Sequence, residues 1–452
     1  MNIIIVGCGR VGQTVAERLV LEGNNVTVVD TNATKVKEVA GKIDALGVIG
    51  NGATHKTQRD AGIDSADILI AVTAADELNL LSCIVAKRSG SCKTIARVRN
   101  HEYNDEAPFL KSELELAMAI NPEREAAEEI ARVLLFPTAI SIEPFAKGRV
   151  ELIKFKLPEN SSIVGMSVRE VAQKYKCDVL FCTAERQDDA YIVKGDFVFK
   201  EKDIISIVAT PKNARTFFEK IGYKLQSVKN ALIIGGGEVT HYLCSLIERS
   251  GIDLRVIESD RQRAEELCYE FPSLTVICAN TADEEVLLEE GAAGCDAFLA
   301  LTDSDEENIF LSLFARSKTN AKLVTKIKRI EYDDVIEKLD LDTVIYPKNI
   351  IADRIVRYVR SLQNTEDSNM ETLYNVIQGK VEAAEFIVRE GSRVAGTPLS
   401  ELSFKKNILI AAILRGGEFI IPRGQEKIAV GDSVIVISEA SVGLYDLSDI
   451  LE

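Results

Sequence analysis

The sequence has little of what a metal centre or a disulfide scaffold requires. Its three histidines are scattered, and its nine cysteines include no Cys-x-x-Cys pair. An odd number of cysteines, most of them in apolar stretches, is typical of a reducing compartment, where thiols pack as small hydrophobes. We therefore expect no zinc site and no other metal site. No histidine stands in a recognisable catalytic constellation.

Long apolar runs and an excess of positive charge are also missing. No segment approaches the roughly 20 apolar residues of a membrane-spanning helix. Met1 leads directly into the apolar run 3–6, which is too short for the core of a signal peptide. The net charge of −16 opposes binding to nucleic acid and polybasic attachment to lipid. We expect a cytoplasmic protein that binds no nucleic acid and reaches a membrane only through a partner.

What the chain does contain is one pattern that occurs twice. A glycine-rich loop follows a short apolar run in residues 2–12, and residues 230–240 repeat this pattern 228 positions later. Each loop precedes a segment with helical spacing of apolar residues and a strand that ends in an acid, Asp30 or Glu258. A repeat of this length indicates duplicated domains rather than solenoid units.

Alternating strand and helix patterns predict the fold of each half. Continuous apolar runs alternate with segments of helical spacing, as in parallel sheets with helices on both faces. The predicted strands of the first half are 3–6, 25–30, 45–49, 68–73, 94–98 and 117–120. A helix begins near Pro122 or Pro347 after each sheet. This helix packs either on its own sheet or across on a partner domain.

The predicted fold class is α/β, with two tandem Rossmann-like, doubly wound parallel sheets, each followed by a small α/β lobe. The predicted domains are residues 1–121, 138–224, 228–347 and 370–452. Both lobes share a glycine-then-helix pattern, which predicts a helix within 161–175 and another within 392–402. A polar, acidic linker at 363–370 precedes the last lobe.

The first glycine loop fits the dinucleotide-binding pattern G-x-G-x-x-G. Gly7 permits the tight turn, Gly9 lets the backbone approach a pyrophosphate, and Gly12 lets the helix pack close to the strand. The helix N-terminus offers N–H groups to the phosphates. Asp30 follows about 20 residues on, where it can accept hydrogen bonds from ribose hydroxyls and repel a 2′-phosphate. The loop thus predicts NAD(H) or an adenosine nucleotide; the alternative is a degenerate fold with an empty crevice.

Polar residues at the strand ends complete the first candidate site. Arg10 lies inside the loop, where its guanidinium either pairs with a terminal phosphate or stays in solvent. Arg97 is the other candidate cation, and Asn51 lies where an adenine edge would be read. The candidate residues of the first site are Gly7, Cys8, Gly9, Arg10, Val11, Gly12, Asp30, Asn51, Thr73, Ala74 and Arg97.

The second loop departs from the pattern. Thr240 replaces the third glycine, and Glu238 places a negative charge at the position of Arg10, which is unfavourable near a phosphate. Glu258 keeps the ribose acceptor. We expect a weaker or different ligand here, or none. The candidate residues of the second site are Gly235, Gly237, Glu238, Val239, Glu258 and Asn280.

An acidic stretch at 303–308 has some likeness to a calcium-binding loop. It lacks the central glycine and the closing bidentate glutamate of an EF-hand. Acids that follow a strand are typical of the cap and first turn of a helix. We therefore predict a helix start rather than a cation site.

With these motifs the chain resembles the TrkA family, the regulatory subunits of Trk potassium-uptake systems. The resemblance rests on the loop 7–12 with Asp30, on 51–54, 71–73 and 96–98, and on the matching residues of the second copy. It implies tandem RCK (regulator of potassium conductance) domains that bind NAD(H) and ATP or ADP.

The resemblance also implies a mode of action and an assembly. The family's rings are peripheral and cytoplasmic, dock under a potassium-translocating membrane subunit, and change shape with the bound nucleotide. Carried over to this chain, it implies a ring of four chains, phosphate contacts at 7–12, a ribose contact at Asp30, and further contacts at Thr73, Ala74 and Arg97. The protein is then a regulatory (gating) subunit and not an enzyme.

Two other functions compete with this interpretation. An NAD-dependent dehydrogenase would share the glycine pattern, but no histidine or lysine stands out as an acid–base partner, and the lobes are small and alike. A redox-sensing transcription regulator would need a basic helix-turn-helix, whereas this acidic chain starts directly at its first strand.

Overall fold

The computed structural model describes residues 1–101, 103, 106–158, 160–187, 189–223, 228–329, 333–339, 341–363, 370–377, 379–444 and 446–452. The chain divides into two compact units, residues 1–130 with 230–356 and residues 131–229 with 357–452. Each unit thus combines matching parts of both copies. Most of the predicted linker at 363–370 lies outside the described residues.

The first copy opens with a six-stranded parallel sheet in the order β3-β2-β1-β4-β5-β6. Its strands are β1 Asn2–Val6, β2 Asn25–Asp30, β3 Ala45–Ile49, β4 Ile68–Ala71, β5 Lys93–Arg97 and β6 Met118–Ile120. Ile3 of β1 pairs with Val26 on one side and with Ile68 on the other. The strand order reverses between β1 and β4, which places a ligand crevice at the carboxyl ends of these strands.

Helices connect these strands as the periodicity predicts. They are α1 Arg10–Leu21, α2 Ala33–Lys42, α3 His55–Asp60, α4 Asp76–Ser89, α5 Ala107–Glu113 and α6 Pro122–Leu135. Helix α1 buries Val11, Val15 and Leu19, the apolar stripe of one helical face. The side chain of Asn32 caps α2 by accepting hydrogen bonds from backbone N–H groups of its first turn.

The first lobe is a five-stranded sheet in the order β10-β9-β11-β8-β7, in which every paired strand runs antiparallel. Its elements are β7 Ser141–Phe145, β8 Val150–Lys156, α7 Val168–Tyr175, β9 Leu180–Arg186, β10 Asp189–Ile192, β11 Ile204–Ala209 and α8 Pro211–Lys220. Helix α7 confirms the helix predicted within 161–175. It starts at a capping box between Ser167 and Glu170.

The second copy repeats the parallel sheet, in the order β14-β13-β12-β15-β16-β17. Its strands are β12 Asn230–Ile234, β13 Asp253–Glu258, β14 Thr275–Cys278, β15 Ala297–Ala300, β16 Lys322–Lys326 and β17 Thr343–Ile345. Its helices are α9 Glu238–Ile247, α10 Arg261–Glu270, α11 Glu284–Glu289, α12 Asp305–Lys318, α13 Asp333–Lys338 and α14 Pro347–Gln363. Ser304 caps α12, so the acidic stretch at 303–308 begins a helix as predicted.

The second lobe differs from the first in one element. Its strands are β18 Met370–Ile377, β19 Val381–Ile387, β20 Ile408–Arg415, β21 Glu418–Ile420 and β22 Ser433–Glu439, in the order β18-β19-β22-β20-β21. The α-helix predicted within 392–402 is wrong, because only the 3-10 turn Leu399–Glu401 forms there. Pro398 precedes this turn and has no side-chain oxygen to cap a helix as Ser167 does.

The helices that follow the two parallel sheets cross between the copies within the first unit. Asp353 of α14 forms a salt bridge with Arg18 of α1, and Arg354 forms one with Glu125 of α6. Asn121, just before α6, donates a hydrogen bond to the hydroxyl of Tyr242 in α9 (2.9 Å). Of the two alternatives that the sequence left open, these contacts favour the helix that reaches across.

The described part of the chain contains no helix that is both long enough and apolar enough to cross a membrane.

Candidate functional site

A cavity of about 1190 Å³ lies at the carboxyl ends of both parallel sheets. The first copy contributes the candidate residues Gly7, Gly9, Arg10, Val11, Asp30, Asn51, Thr73, Ala74 and Arg97. The second copy contributes the candidate residues Gly235, Gly237, Glu238, Val239 and Glu258. Both glycine loops therefore open onto one cavity. The candidates Cys8, Gly12 and Asn280 are not among its lining residues.

Each of the three positions in the first loop requires glycine for a different structural reason. Gly7 has φ +110°, a conformation that residues with a side chain rarely adopt. A Cβ on Gly12 would lie 1.8 Å from the carbonyl oxygen of Gly7, so helix α1 can approach the strand only because this side chain is absent. No atom lies within 4 Å of a Cβ built on Gly9. Gly9 therefore leaves the N-terminus of α1 open to the cavity.

Asp30 holds the first loop from the end of β2. Its Oδ2 atom accepts a hydrogen bond from the N–H of Cys8 (2.8 Å), and its Oδ1 atom accepts one from the N–H of Asn32 (2.8 Å). Burial, together with the charge of Asp30, raises the pKa of the Cys8 thiol to about 12. Cys8 therefore contributes a backbone N–H to the loop while its side chain stays protonated.

A buried asparagine fixes the next two strand ends. Oδ1 of Asn79 accepts hydrogen bonds from the N–H and the hydroxyl of Thr73 (2.8 and 2.7 Å), and its Nδ2 donates to the carbonyl of Arg97 (2.9 Å). Asn308 makes the same contacts with Thr302 and Lys326 in the second copy. The repeated asparagine thus positions the ends of neighbouring strands at the cavity.

Besides Arg10, the first copy places two arginines at the cavity wall. The Nη2 atom of Arg97 lies 3.5 Å from Oε1 of Glu123, and burial lowers the pKa of Arg97 from its usual value. An arginine stays charged at neutral pH despite such a shift. Arg99, which the sequence interpretation did not select, donates to the carbonyl of Ala74 and lies 3.9 Å from Asp76.

The second copy places three lysines, Lys326, Lys328 and Lys348, at the same cavity. Lys326 is only 3% exposed, and its ammonium lies 3.6 Å from Oδ1 of Asp303. Burial, reinforced by the charge of Lys328, lowers the pKa of Lys326 to about 8. The sequence interpretation missed all three lysines as site residues, although the repeat aligns Lys326 with Arg97.

Side chains of the second copy form hydrogen bonds and an ion pair with their own glycine loop. The Nε atom of Arg263 donates to the carbonyl of Gly236 (2.8 Å), and its Nη2 atom lies 3.3 Å from Oε1 of Glu238. The hydroxyl of Thr240 donates to the carbonyl of Gly235 (2.6 Å). The negative charge of Glu238 is therefore paired, and a threonine hydroxyl takes the place of the missing glycine.

The candidates Glu258 and Asn280 make hydrogen bonds with the backbone of their own copy. Glu258 repeats the role of Asp30, since its Oε2 atom accepts a hydrogen bond from the N–H of Gly236 (2.6 Å). Asn280 forms a local turn by accepting from the N–H of Ala282 (3.1 Å). Among the described residues, no cluster of three or more histidine, cysteine or acidic side chains is arranged to hold a metal ion.

Comparisons with known proteins agree with this architecture. The TrkA-N domain model matches residues 3–122 and 231–347, and the TrkA-C domain model matches residues 152–222 and 383–443. The Trk system potassium uptake protein TrkA homolog 1 of Methanosarcina mazei is 31% identical over 98% of both chains. The Trk system potassium uptake protein TrkA of Haemophilus influenzae is 29% identical over 96% of this chain and 95% of its own.

Solved structures share the fold at low sequence identity. The crystal structure of the GsuK RCK domain has a TM-score of 0.66 at 15% identity, over 97% of this chain and 92% of the other. The GsuK channel bound to NAD has a TM-score of 0.65 at 16% identity, over 97% of this chain and 77% of the other. With two TrkA-N and two TrkA-C domains in tandem and relatives of this kind along nearly its whole length, the chain belongs to the TrkA family of potassium uptake proteins.

Proposed function

We propose that this protein is a nucleotide-binding regulatory subunit of a Trk-type potassium-uptake system. The observation that carries the proposal is the first glycine loop at the cavity. There Gly9, the open N-terminus of α1 and the carboxylate of Asp30 all face the same space. Membership of the TrkA family supports the link to potassium transport.

The proposed ligand is NAD(H), with ATP and ADP as alternative or additional nucleotides. The loop and the N-terminus of α1 would hold phosphates, and Asp30 would accept hydrogen bonds from ribose hydroxyls. Asn51 lies at the base end, and Arg10 and Arg97 supply positive charge. A structural relative with NAD bound supports the first choice, and one with ADP bound (TM-score 0.52, 12% identity) supports the second.

The proposed regulation needs only a difference in affinity. A nucleotide that binds one conformation of the protein more tightly shifts the population towards that conformation by the ratio of its two affinities. We propose that this shift acts in a ring of four chains, which docks on the cytoplasmic side of a potassium-translocating membrane subunit. Family membership supports this assembly.

The proposal is tested by a titration of the whole protein with NADH, NAD, ATP and ADP, alongside growth of a strain that lacks its own Trk regulatory subunit. We expect saturable binding of at least one nucleotide, and rescue of growth at low potassium by the wild-type protein but not by a variant that binds no nucleotide. Absence of binding by all four nucleotides would contradict the proposal. Stoichiometric oxidation of NADH with a small substrate would instead indicate a dehydrogenase.

A further inference from the structure

We propose that the cavity is one composite site that holds a single nucleotide per chain. The base and ribose of that nucleotide lie in the first copy, and its terminal phosphates are bound by Lys326 and Lys328 of the second copy. This inference rests on the proposed function, since it concerns the same cavity. It assigns different tasks to the two copies.

The base position of the second copy is occupied by a polar bridge. In the first copy Gly52 and Leu78 line the cavity, and Leu78 offers an apolar wall to a base. The matching residues of the second copy are Thr281 and Glu307, whose side chains share a hydrogen bond of 2.6 Å. Seating an adenine there would strip water from a carboxylate without providing a cation, which is costly.

In the second copy, the place beside the glycine loop where a phosphate would bind is also occupied by a side chain. The guanidinium of Arg263 already donates a hydrogen bond to the carbonyl oxygen of Gly236 and pairs with the carboxylate of Glu238. A phosphate at this loop would have to displace that guanidinium and face the carboxylate of Glu238. The first loop has no such pair, because Arg10 replaces Glu238 there and Lys35 lies at the position of Arg263. Only the first copy therefore presents an open glycine loop.

The second copy nevertheless holds a buried charge that lacks sufficient compensation. The side chain of Lys326 is 4% exposed, whereas Asp303, its nearest acidic partner, is 88% exposed and also pairs with Lys328. Two ammonium groups thus share one carboxylate that stands mostly in water. A buried ammonium is costly unless it is paired, and the phosphates of a ligand in the cavity would supply the missing negative charge.

The cations of both copies converge on one part of the cavity. Glu123 of the first copy pairs with Arg97, and its charge also acts on the ammonium of Lys326. The cations Arg97, Arg99, Lys326 and Lys328 therefore outnumber the acids that act on them, which are Asp76, Glu123 and Asp303. This excess of positive charge between the copies matches the terminal phosphates of ADP or ATP, which AMP lacks.

The test is calorimetric titration of the full chain with AMP, ADP and ATP. We expect one ATP per chain. In Lys326→Met we expect at least a tenfold loss of ATP affinity, the size of one charge-assisted hydrogen bond, with AMP affinity changed less than about twofold. The control Lys37→Met removes an exposed lysine of α2 and should bind all three nucleotides like the wild type.

Several outcomes would overturn the composite site. They are two equivalent nucleotides per chain, an unchanged ATP affinity in Lys326→Met, or equal losses for AMP and ATP. Should Lys326→Met not fold, Lys328→Met replaces it, with a selective loss of ATP affinity expected and an unchanged ATP affinity as the contrary result. Failure of the wild-type protein to bind any nucleotide would contradict the proposed function itself.

Discussion

The carboxylate of Asp30 accepts a hydrogen bond from the backbone N–H of Cys8 at 2.8 Å, so the acid that faces the cavity also holds the glycine loop. Glu258 and Gly236 repeat this contact at 2.6 Å in the second copy. The acid at the end of the second strand therefore has a structural task in both copies and, by our proposal, a ribose contact in the first only. Substitutions can separate these tasks.

Asp30→Asn should weaken NADH binding about tenfold while preserving most of the stability. The amide oxygen can still accept from the N–H of Cys8, but the charge that strengthens hydrogen bonds to ribose hydroxyls is gone. Asp30→Ala should also lower the free energy of unfolding by about 1–3 kcal/mol, because it leaves a buried N–H unpaired. Titration and urea unfolding of the same preparations measure both effects.

Glu258→Ala is the matched control for this pair. It removes the same contact to a loop N–H, so the free energy of unfolding should fall by a similar amount. NADH affinity should stay at the wild-type value, because the proposed ligand lies on the first loop. A loss of affinity equal to that of Asp30→Ala would show that both copies bind the ligand.

Gly9→Ala should weaken ligand binding and leave stability unchanged, whereas Gly12→Ala should lower the stability of the fold. The space around Gly9 is open, so the added methyl group should leave stability unchanged but block the approach of phosphates to the loop. We expect at least a tenfold loss of NADH affinity, the order of one charge-assisted contact. Gly12→Ala should destabilise the fold by about 1–3 kcal/mol or more, because its Cβ would overlap the carbonyl of Gly7. Wild-type binding by Gly9→Ala would refute this role of the loop.

Binding of ATP should weaken as the pH rises above about 8. The pKa of Lys326 is lowered to about 8 by burial and by the charge of Lys328, while the nearby charges of Asp303 and Glu123 oppose this shift. Above that pH the Lys326 side chain of the free protein is mostly the neutral amine. It must take up a proton again when a phosphate binds. Affinity should then fall by up to about tenfold per pH unit, as measured by titration between pH 7.5 and 9.5.

Lys326→Arg is the control for the pH experiment. A guanidinium keeps its charge throughout this range, so the decline above pH 8 should disappear while ATP still binds. Lys326→Met should also show no decline, but with low affinity at every pH. An equally steep decline of ATP affinity with pH in all three proteins would show that a group other than Lys326 causes the pH dependence.

The buried pair of Arg360 and Glu382 should dominate the stability of the second unit. Nη1 of Arg360 lies 2.9 Å from Oε2 of Glu382, and both side chains are less than a tenth exposed. Glu382→Ala should cost about 3–5 kcal/mol, because it removes the carboxylate that pairs with a buried guanidinium. Glu265→Ala breaks the exposed pair with Arg261 and should leave urea unfolding unchanged. Similar midpoints for the two variants would contradict this ranking.

The architecture could be predicted because it follows from patterns that recur along the chain. Apolar strands alternate with amphipathic helices, and strand-end acids and prolines recur in both copies, so the two doubly wound parallel sheets could be predicted from local patterns, whereas the order of their strands was not predicted. The helix expected within 392–402 failed on a local detail. Ser167 and Glu170 form a capping box in the first lobe, whereas Pro398 precedes only a 3-10 turn in the second.

The candidate site could be predicted only in part. The glycine loop and Asp30 lie next to each other by the logic of the fold, and the sequence placed both. That the two loops share one cavity depends on how the copies meet in space, which spacing does not encode. The tasks of Arg263 and Lys326 likewise depend on packing, since an arginine over a loop carbonyl and a buried lysine have no signature in the sequence.

Potassium flux tests the central claim most directly. A Trk-type membrane subunit would be reconstituted in liposomes with the full chain, and potassium uptake measured with NADH, ATP, ADP or no nucleotide, for the wild type and for Gly9→Ala. We predict that at least one nucleotide changes the flux with the wild-type protein and that none does so with Gly9→Ala. A flux that ignores nucleotides, or one that responds equally in both proteins, would contradict regulation through the first glycine loop.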